Sequence, residues 1–548
     1  MLVSRGFVGM SKRKASAALN GSFAPGPLSP LCTDMYQLTM AYGYWKAGRH
    51  NEHAVFDLFF RKNPFKGGFT VFGGLSDIIE FIEAFKFTES DIEFLRGAMP
   101  AHTDPAFFAW LASVDMAPIK VYAVAEGTIV FPSIPVVRVV GPLALGQLVE
   151  TTLLNLANFA SLMTTNAVRF RHAAGPGKTL LEFGLRRAQG PNGGMSASRY
   201  SYMGGFDGTS NMLAGKLYGV PVKGTHAHAY VQSYRSLDEL ASRELDGRDL
   251  AALACGFREK LGFTTNDGEL AAFVAYSLAF PDGLIALIDT YDTLKSGLPN
   301  FICVALALHE LGRRALGVRI DSGDLAYLSR EIRARFVAVA AQFDGIAYFA
   351  ELTIVASNDI NEAVLHALKE QGHEIDAFGI GTHLVTCQAQ PALGMVYKLV
   401  EIEGNPRIKL SNDVAKVTIP GEKQPYRLMG AGGVALLDLM VRAGEAPPVP
   451  GERVLCRHAY DDKKRAFVTP AAVVSLHRLY WDGAAGGRVE PVQTLEESRA
   501  AVQAGLPCIR EDTLREVNPT PYKVAVSDQL FNWLHELWNK EVPIPELS

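Results

Sequence analysis

Two histidines, His226 and His228, stand one residue apart in the stretch VPVKGTHAHAY, just past a short β-branched run and a glycine. A His-x-His pair at a strand end is typical of metal-dependent amidohydrolases, which bind a catalytic metal through such residues. A histidine beside phosphate-binding groups can instead act as a base or accept a phosphoryl group, because its ordinary pKa lies near physiological pH. A structural role for His226 is a third alternative.

Polar residues also end the other short apolar runs in the middle of the chain. Most of these runs are followed by helical periodicity, and this alternation predicts a parallel sheet or a (β/α) barrel. In a barrel the carboxyl ends of the strands converge on one face, where active sites lie. We therefore predict one shared pocket. The polar residues at these ends are Arg186 and Arg187, His226 and His228, Asp289, Arg319 and Asp321, Asn358 and Asp359, and Thr382.

The composition of this pocket indicates an anionic substrate. Arginine side chains and free main-chain amides at helix starts are the usual means of binding phosphate or carboxylate. In the turn IDSGD, Ser322 and Gly323 stand between a strand and a helix; the alternative is a tight turn in which Ser or Asp caps the helix. In FGIGTH, Gly381 allows close approach of the backbone and Thr382 offers a hydroxyl.

Arg186 and Arg187 are adjacent after a strand, so they cannot both point to one side. We expect one of them to line the pocket and the other to meet a neighbouring segment or subunit. The alternative is that both lie solvated on a loop. The glycines around them, and the nearby cluster of Asp207, Ser210 and Asn211, favour the functional interpretation.

The bulk composition excludes several classes of protein. The 548 residues carry a formal net charge of −4, so no nucleic-acid partner is expected. The six cysteines lie far apart without a CxxC pair, which favours free thiols in a reducing compartment over disulfides or structural zinc. No apolar run reaches the roughly 20 residues that span a bilayer, so no membrane association is expected.

The elements that must position the pocket suggest an α/β chain of several parts. Residues 1–30 contain four basic residues and no acidic one, and we interpret them as a disordered extension rather than an organelle signal. An N-terminal α+β domain is predicted for residues 31–142, with a long helical pattern following over 143–171. An irregular or incomplete TIM-like (β/α) barrel is predicted for 143–400, and a C-terminal α/β extension packing on both for 401–548.

Several motifs, taken together, resemble the nicotinate phosphoribosyltransferase family of the long eukaryotic and bacterial type. The similarity runs from about Leu31 to the end of the chain and keeps the family order of motifs. The motifs are TDMYQLTMAYGYW, FDLFFRKNPF, LEFGLRRAQGPNGG, GGFDGTSN, GTHAHAYV, GVRIDSGDL, SNDINE and GIGTHLVT.

This resemblance implies the first step of NAD salvage from nicotinate. Nicotinate and 5-phosphoribosyl 1-diphosphate would form nicotinate mononucleotide and diphosphate, coupled to ATP hydrolysis by an enzyme of the ATP-dependent ligase type. In the family a histidine of the Gly-Thr-x-Ala-His motif is phosphorylated by ATP, and that position is His228 here. His226 occupies the variable position of the motif.

The resemblance also assigns the other predicted site residues. Arg186 and Arg187 are similar to the family's strand-end catalytic arginines. The residues expected to contact nicotinate are Tyr36, Thr225 and Arg319. Those expected to contact phosphoribosyl diphosphate are Asp321, Ser322, Gly323, Gly381 and Thr382.

Cofactors and partners follow from the same resemblance. Asp289 and Asp321 would bind Mg²⁺ (or Mn²⁺) or orient the ribose hydroxyls, and ATP would be a co-substrate. A homodimer with active sites at its interface and a cytoplasmic location are expected. The alternatives are nicotinamide phosphoribosyltransferase, which shares the architecture, a metal-dependent amidohydrolase, and a binding protein that has lost the chemistry.

Overall fold

The computed structural model describes residues 28–411, 413 and 416–542. The predicted disordered extension, residues 1–30, therefore lies outside the described residues except for its last three. The chain forms two compact units, one made from residues 1–165 together with 392–548 and the other from residues 166–391.

The first part of the chain is a mixture of helices and antiparallel strands, as the sequence predicts. Its helices are α1 (Met35–Lys46), α2 (Leu75–Ala84), α3 (Glu89–Ala98), α4 (Pro105–Ser113), α5 (Leu143–Leu148) and α6 (Glu150–Ala174). Its strands are β1 (His53–Phe60), β2 (Thr70–Val71), β3 (Lys120–Val124), β4 (Ile129–Val130) and β5 (Val137–Pro142).

The middle of the chain alternates strands and helices. Its strands are β6 (Thr179–Glu182), β7 (Gly208–Thr209), β8 (Glu244–Leu245), β9 (Arg248–Asp249), β10 (Ile285–Leu287), β11 (Gly317–Ile320), β12 (Thr353–Ala356) and β13 (Ala377–Ile380). Its helices are α7 (Gly190–Met203), α8 (Met212–Tyr218), α9 (His228–Gln232), α10 (Leu250–Lys260), α11 (Asp267–Ala279), α12 (Leu298–Glu310), α13 (Leu325–Ala340), α14 (Glu362–Gln371) and α15 (Thr382–Val385).

The last part is mostly strand. Its strands are β14 (Met395–Ile402), β15 (Asn405–Pro406), β16 (Lys423–Met429), β17 (Ala435–Arg442), β18 (Val454–His458), β19 (Asp461–Val468), β20 (Ala472–Ser475), β21 (His477–Asp482), β22 (Gly487–Arg488) and β23 (Val524–Ser527). Its helices are α16 (Leu495–Gly505), α17 (Glu511–Leu514) and α18 (Asp528–Glu541).

Strands from both ends of the chain share one sheet in the first unit. This seven-stranded sheet has the order β15-β14-β1-β5-β3-β21-β22, and every neighbouring pair is antiparallel. A second sheet, β19-β18-β23-β17-β16-β20, is antiparallel except for the parallel pair β17 and β23. The two compact units divide after Thr165 and after Pro391. The predicted three-domain division stays a prediction.

A buried ionic group joins the two ends of the chain inside the first unit. Asp57 of β1 accepts hydrogen bonds from Nε of Arg138 (3.1 Å) and Nζ of Lys423 (2.5 Å). All three side chains are at most 3% exposed. Burial raises the pKa of the Asp57 carboxyl, but the charges of Lys423 and then Arg138 outweigh burial and lower the pKa overall. Asp57 therefore stays ionised in the core.

The second unit is built on a six-stranded parallel sheet. The strand order is β10-β11-β12-β13-β6-β7, and all five pairs are parallel. The α/β class with a parallel sheet is thus confirmed. Among the described strands, however, β10 and β7 remain the two edges, so the ladders do not form a closed barrel.

Two further features of the structure concern its helices and its cysteines. In the parts of the chain that the structure describes, no helix combines the length and apolarity needed to cross a membrane. All six cysteines carry free thiols.

Candidate active site

The carboxyl ends of all six strands lie along one edge of the parallel sheet, because the strands run in the same direction. The chain leaves each strand through a polar or glycine-containing turn. In strand order the turns begin with Ile288-Asp289-Thr290, Asp321-Ser322-Gly323, Ser357-Asn358-Asp359, Gly381-Thr382, Phe183-Gly184-Leu185 and Ser210-Asn211. This edge is the candidate site.

His228 lies at the start of α9 and faces two of these turns. Its Nδ1 is 3.0 Å from Oγ1 of Thr290. Its Nε2 is 4.0 Å from Oδ1 of Asp289 and 3.8 Å from Oδ2 of Asp321, and the side chain is 39% exposed. Nε2 is therefore the ring nitrogen that a ligand can approach.

The two carboxylates near His228 belong to one hydrogen-bonded group. Oδ2 of Asp289 accepts from the main-chain N–H of Asp321 (2.9 Å) and from Oγ of Ser322 (2.5 Å). Oγ of Ser357 donates to Oδ1 of Asp321 at 2.6 Å. Oδ1 of Asp289 is buried and has no hydrogen-bond partner among the described residues. A buried, unsatisfied carboxylate oxygen is costly unless a ligand or cation meets it.

His226 is buried. Its Nε2 accepts a hydrogen bond from the main-chain N–H of Leu287, at 3.2 Å, and its ring packs among Tyr230, Phe273 and Tyr276. The pKa of His226 is lowered to about 4, chiefly by burial and also by the positive charges of Arg319 and His228, against the opposing effect of a backbone hydrogen bond at Ala227. The ring is therefore neutral at physiological pH.

Thr225 and Arg319, both predicted to contact nicotinate, converge on one atom. The main-chain carbonyl of His226 accepts from Nη2 of Arg319 at 3.0 Å and from Oγ1 of Thr225 at 3.3 Å. Nε of Arg319 is buried without a partner among the described residues. Burial lowers the pKa of Arg319, and the positive charge of Arg186 adds to the effect against the opposing pull of Asp321 and Asp289. The guanidinium thus keeps one N–H donor without a partner among the described residues.

The arginine turn, residues Leu185–Arg187, is a short 3₁₀ helix that follows β6, and both arginines are exposed. The buried carboxylate of Glu182 anchors it: Glu182 accepts from the N–H of Gly184, from Oγ of Ser198 (2.8 Å) and from Oγ1 of Thr209 (2.5 Å). These bonds tie the turn to α7 and β7. The positive charge of Arg186 contributes to the lowered pKa of Arg319.

The predicted phosphate-binding turns follow β11 and β13, which are separated by β12 in the sheet. Gly323 has a left-handed backbone, with φ of +80°. The neighbouring Asp324, rather than Ser322, caps α13, since its side chain accepts from the N–H of Tyr327 at 2.9 Å. The hydroxyl of Ser322 is used instead by Asp289. Thr382 opens α15, directly after Gly381.

Tyr36, the remaining predicted nicotinate residue, belongs to the first unit. It lies on α1, is 46% exposed, and donates from its hydroxyl to Oε1 of Glu150 at 3.1 Å. Burial and the charge of Glu150 raise the pKa of the Tyr36 phenol. Its hydroxyl is therefore a neutral donor at physiological pH.

Three residues of this edge were not among the predicted site residues. Glu182 reads as an interior strand position and carries no local signal. Thr290 follows Asp289 directly, so its place at a strand end was a usable signal. Ser357 begins the SNDINE motif but was considered only for its neighbours Asn358 and Asp359.

The amidohydrolase alternative requires metal ligands that converge on the histidine pair. Within the described ranges, neither His226 nor His228 belongs to a group of three His, Cys, Asp or Glu ligand atoms that lie within 4.8 Å of one another. The ring nitrogen of His226 that faces β10 is already bonded to Leu287. The arrangement therefore does not favour a His-x-His metal centre.

Comparison with known proteins gives matches along most of the chain. Models of the nicotinate phosphoribosyltransferase (NAPRTase) family match residues 31–158 (N-terminal domain), 179–430 (family) and 422–534 (C-terminal domain). The chain is 52% identical over 537 residues to nicotinate phosphoribosyltransferase of Caenorhabditis elegans, covering 95% of each sequence. It is 47% identical over 517 residues to the human protein of that name, covering 91% of this chain and 95% of the other. The crystal structure of human nicotinic acid phosphoribosyltransferase is similar with a TM-score of 0.83 at 44% identity, covering 92% of this chain and 99% of the other.

Proposed function

Because the chain belongs to the nicotinate phosphoribosyltransferase family, we propose that its parallel sheet carries the active site for transfer of a phosphoribosyl group to nicotinate. The products are nicotinate mononucleotide and diphosphate, and the reaction serves NAD salvage from nicotinate. The ring nitrogen of nicotinate forms a bond to C1 of the ribose, and the bond from C1 to the diphosphate oxygen breaks.

One observation carries the assignment of the site: Thr225 and Arg319 meet at the carbonyl of His226, beside His228 and the Asp289 and Asp321 pair. Nicotinate carries a carboxylate, and a buried guanidinium with an unsatisfied N–H is a strong partner for it. Arg319 is therefore assigned to the nicotinate carboxylate, with the hydroxyl of Thr225 beside it. The family resemblance also assigns Tyr36 to nicotinate.

The turns along the same edge are assigned to phosphoribosyl diphosphate. Gly381 and Thr382 offer a main-chain approach and a hydroxyl to its phosphate, and Gly323 lets the neighbouring backbone approach closely. Departure of diphosphate leaves positive charge on the ribose and gathers negative charge on the leaving group. Arg186 and Arg187 are exposed at this edge, as a role in neutralising that charge requires.

His228 is proposed as the residue that ATP phosphorylates, at Nε2. The contact between Nδ1 and Thr290 leaves Nε2 as the exposed nitrogen. When Nδ1 carries the proton and donates to Thr290, the lone pair of Nε2 can attack the γ-phosphorus of ATP, so that an N–P bond forms and ADP leaves. The added charge would bias the surrounding turns toward a state that binds substrate more tightly, which couples ATP hydrolysis to product formation.

Asp289 and Asp321 fit a divalent cation. Asp289 keeps a buried carboxylate oxygen without a partner, and carboxylate oxygens are the donors that Mg²⁺ prefers and Mn²⁺ also accepts. A bound Mg²⁺ would supply positive charge against the diphosphate. The protein's own contribution is to hold Asp289 in place through the N–H of Asp321 and the hydroxyl of Ser322.

The proposal extends to an irregular barrel. Thr209 of β7 makes a parallel bridge to Val222, and Leu287 of β10 donates to the ring of His226. Residues 222–226 thus contact both edge strands of the sheet, which supports an irregular closure through this segment.

A homodimer and a cytoplasmic location are also proposed. Helix α8 follows the site turn at Asn211 and exposes Met212 (71%), Leu213 (41%) and Leu217 (43%), an apolar surface that a second copy can cover. Free thiols on all six cysteines agree with a reducing compartment.

The deciding experiment follows conversion of labelled nicotinate or nicotinamide by the purified protein with phosphoribosyl diphosphate and Mg²⁺, with and without ATP. Mononucleotide from nicotinate, raised by ATP, is expected. Preference for nicotinamide would favour the related transferase, and binding without product would favour a non-catalytic protein. ATP stimulation that survives in His228→Ala would refute the phosphohistidine assignment, whereas His226→Ala is expected to lose less activity than His228→Ala.

A further inference from the structure

We propose that His226 is a positioning residue that holds Arg319 in the geometry for binding nicotinate. The inference rests on the assignment of Arg319 to the nicotinate carboxylate. It concerns the one histidine of the GTHAH motif to which the family resemblance gives no role.

The ring of His226 accepts a main-chain hydrogen bond from β10 on the side where this edge strand has no neighbouring strand among those that the structure describes. Leu287 lies in β10, an edge of the parallel sheet among the described strands, and pairs with Arg319 of β11. The next residue, Ile288, donates its N–H inward to the carbonyl of Arg319 at 3.1 Å. The N–H of Leu287 points to the other side, where Nε2 of His226 accepts it. The side chain thus fastens its own loop to β10.

The main chain of the same residue holds the guanidinium. The carbonyl of His226 accepts from Nη2 of Arg319 at 3.0 Å. His226 is therefore bonded to both members of one cross-strand pair, to Leu287 through its ring and to Arg319 through its carbonyl. Because the loop is fixed to β10, it gives Arg319 an acceptor in a fixed position. The arginine side chain is then already ordered and loses less conformational entropy when it binds a carboxylate.

The surroundings keep the ring an acceptor. Tyr276 is the nearest aromatic ring, with centroids 4.9 Å apart, and Tyr230 and Phe273 cover other parts of the ring. In this apolar setting the neutral form is favoured, and a pKa of about 4 keeps Nε2 unprotonated between pH 6 and pH 9. A charged ring would lose this hydrogen bond and would repel Arg319.

The same contacts exclude direct chemistry by His226. Nε2 is occupied by the N–H of Leu287, and Nδ1 is buried. Neither nitrogen is presented to a substrate as Nε2 of His228 is.

Two substitutions separate the hydrogen bond from the packing. His226→Gln places an amide oxygen near the position of Nε2 and keeps an acceptor for Leu287. His226→Phe keeps an aromatic ring among Tyr230, Phe273 and Tyr276 but leaves the N–H of Leu287 without a partner. If His226→Phe does not fold, His226→Met, which is more adaptable and also lacks a comparable acceptor, replaces it.

The measurement is the steady-state KM for nicotinate and for phosphoribosyl diphosphate, together with kcat. Only variants whose melting temperatures match that of the unchanged protein are compared. We expect His226→Phe to raise the KM for nicotinate by about 5- to 10-fold while the KM for phosphoribosyl diphosphate changes less than about 2-fold. His226→Gln should restore the nicotinate value and keep the pH profile of the unchanged protein between pH 6 and pH 9. Three results would overturn the inference. They are an unchanged KM for nicotinate in His226→Phe, an equal rise in the KM values of both substrates, and the loss in His226→Gln of a pH-dependent limb that the unchanged protein shows between pH 6 and pH 9.

Arg319→Lys, measured in parallel, distinguishes this failure from failure of the site assignment. If Arg319→Lys leaves the KM for nicotinate unchanged, the assignment of Arg319 itself is wrong, and the inference falls with it. If Arg319→Lys raises that KM and His226→Phe does not, only the positioning role of His226 is wrong.

Discussion

Oγ1 of Thr290 lies 3.0 Å from Nδ1 of His228 and leaves the opposite ring nitrogen, Nε2, facing Asp289 and Asp321. One hydroxyl on the β10 turn therefore sets which face of the proposed phosphohistidine reaches the site. The contact joins His228, which belongs to the GTHAH motif, to Thr290, which lies outside it.

Thr290→Val should slow phosphorylation of His228 by ATP by about 2- to 10-fold, the range expected for loss of one net hydrogen bond. Valine keeps the volume of threonine but cannot accept a hydrogen bond from Nδ1. The measurement is incorporation of labelled phosphate from ATP as an acid-labile, base-stable adduct. Thr290→Ser, which keeps the hydroxyl, is the control and should retain most of the rate; equal rates in all three proteins would contradict the role of the contact.

Arg319→Gln should weaken binding of nicotinate by about 10- to 100-fold, because a charge-assisted contact to the carboxylate is lost. Binding of nicotinamide, which has no carboxylate, should change little. Calorimetric titration of both ligands measures the difference. Arg313→Gln removes a partly exposed arginine that pairs with Asp246 and Asp282 and serves as the control for loss of a charge in the same unit. A matching fall in affinity for both ligands would show that Arg319 does not recognise the carboxylate.

Gly184→Ala should displace the arginine turn, since an added Cβ would lie 2.3 Å from Cγ1 and 2.7 Å from Cγ2 of Val385. We expect a higher KM for phosphoribosyl diphosphate and a loss of about 1–3 kcal/mol in the free energy of unfolding. Adding Val385→Ala removes both clashing atoms. The double variant should recover part of the KM for phosphoribosyl diphosphate and part of the free energy of unfolding. Gly193→Ala, where the nearest atom is an ordinary 3.6 Å away, is the control and should be tolerated. No recovery in the double variant would mean that Val385 is not the obstacle.

Glu269→Gln should make stability less dependent on pH. Glu269 is fully buried, and burial raises the pKa of its carboxyl to about 7 from 4.5, with Asp289 and Asp292 adding to the shift. The folded protein then holds a proton that the unfolded chain has released, so the stabilisation is complete below about pH 4.5 and is lost as pH rises through about 7.

Between pH 5 and pH 8 this loss should reach about 2–3 kcal/mol for the unchanged protein. Glutamine keeps an oxygen for the donors Ser296 and Asn300 and cannot ionise. Melting temperatures at the two pH values measure the effect, with the exposed Glu259→Gln as control. The same fall in melting temperature in Glu269→Gln as in the unchanged protein would contradict the shifted pKa.

The parts of the fold that local pattern determines were predictable. The run GVRI became β11 and IDSGD became the turn before α13, because strand propensity, a left-handed glycine and a capping aspartate act within a few residues. The long helical pattern over 143–171 was right in type but not in continuity. The structure breaks it at Val149, between α5 and α6. Within α5 the carbonyl of Gly146 accepts from the hydroxyl of Tyr397, 251 residues later.

The same limit applies to the site. Thr225 and Arg319 were identified singly, but their common acceptor, the carbonyl of His226, became visible only when β11 was placed beside the histidine loop. Glu182 was missed because its role depends on hydrogen bonds from Ser198 and Thr209. These partners cannot be identified from a buried position in a strand. Side-chain types predict candidates, whereas the main-chain and buried groups that orient them depend on the complete fold.

The ion pair of Asp57 has a consequence for the order of events during synthesis. Its partner Lys423 lies 366 residues further along the chain, and β14 and β21, which complete the sheet around β1 and β3, also come after the whole second unit. On the ribosome, residues 166–391 are therefore complete while the carboxylate of Asp57 still has no lysine beside it. We expect nascent chains ending near residue 400 to protect the second unit from protease and to leave the first unit open, with protection of Asp57 and its neighbours arising only in chains long enough to include β21. Equal protection of both units in the shorter chains would contradict this order.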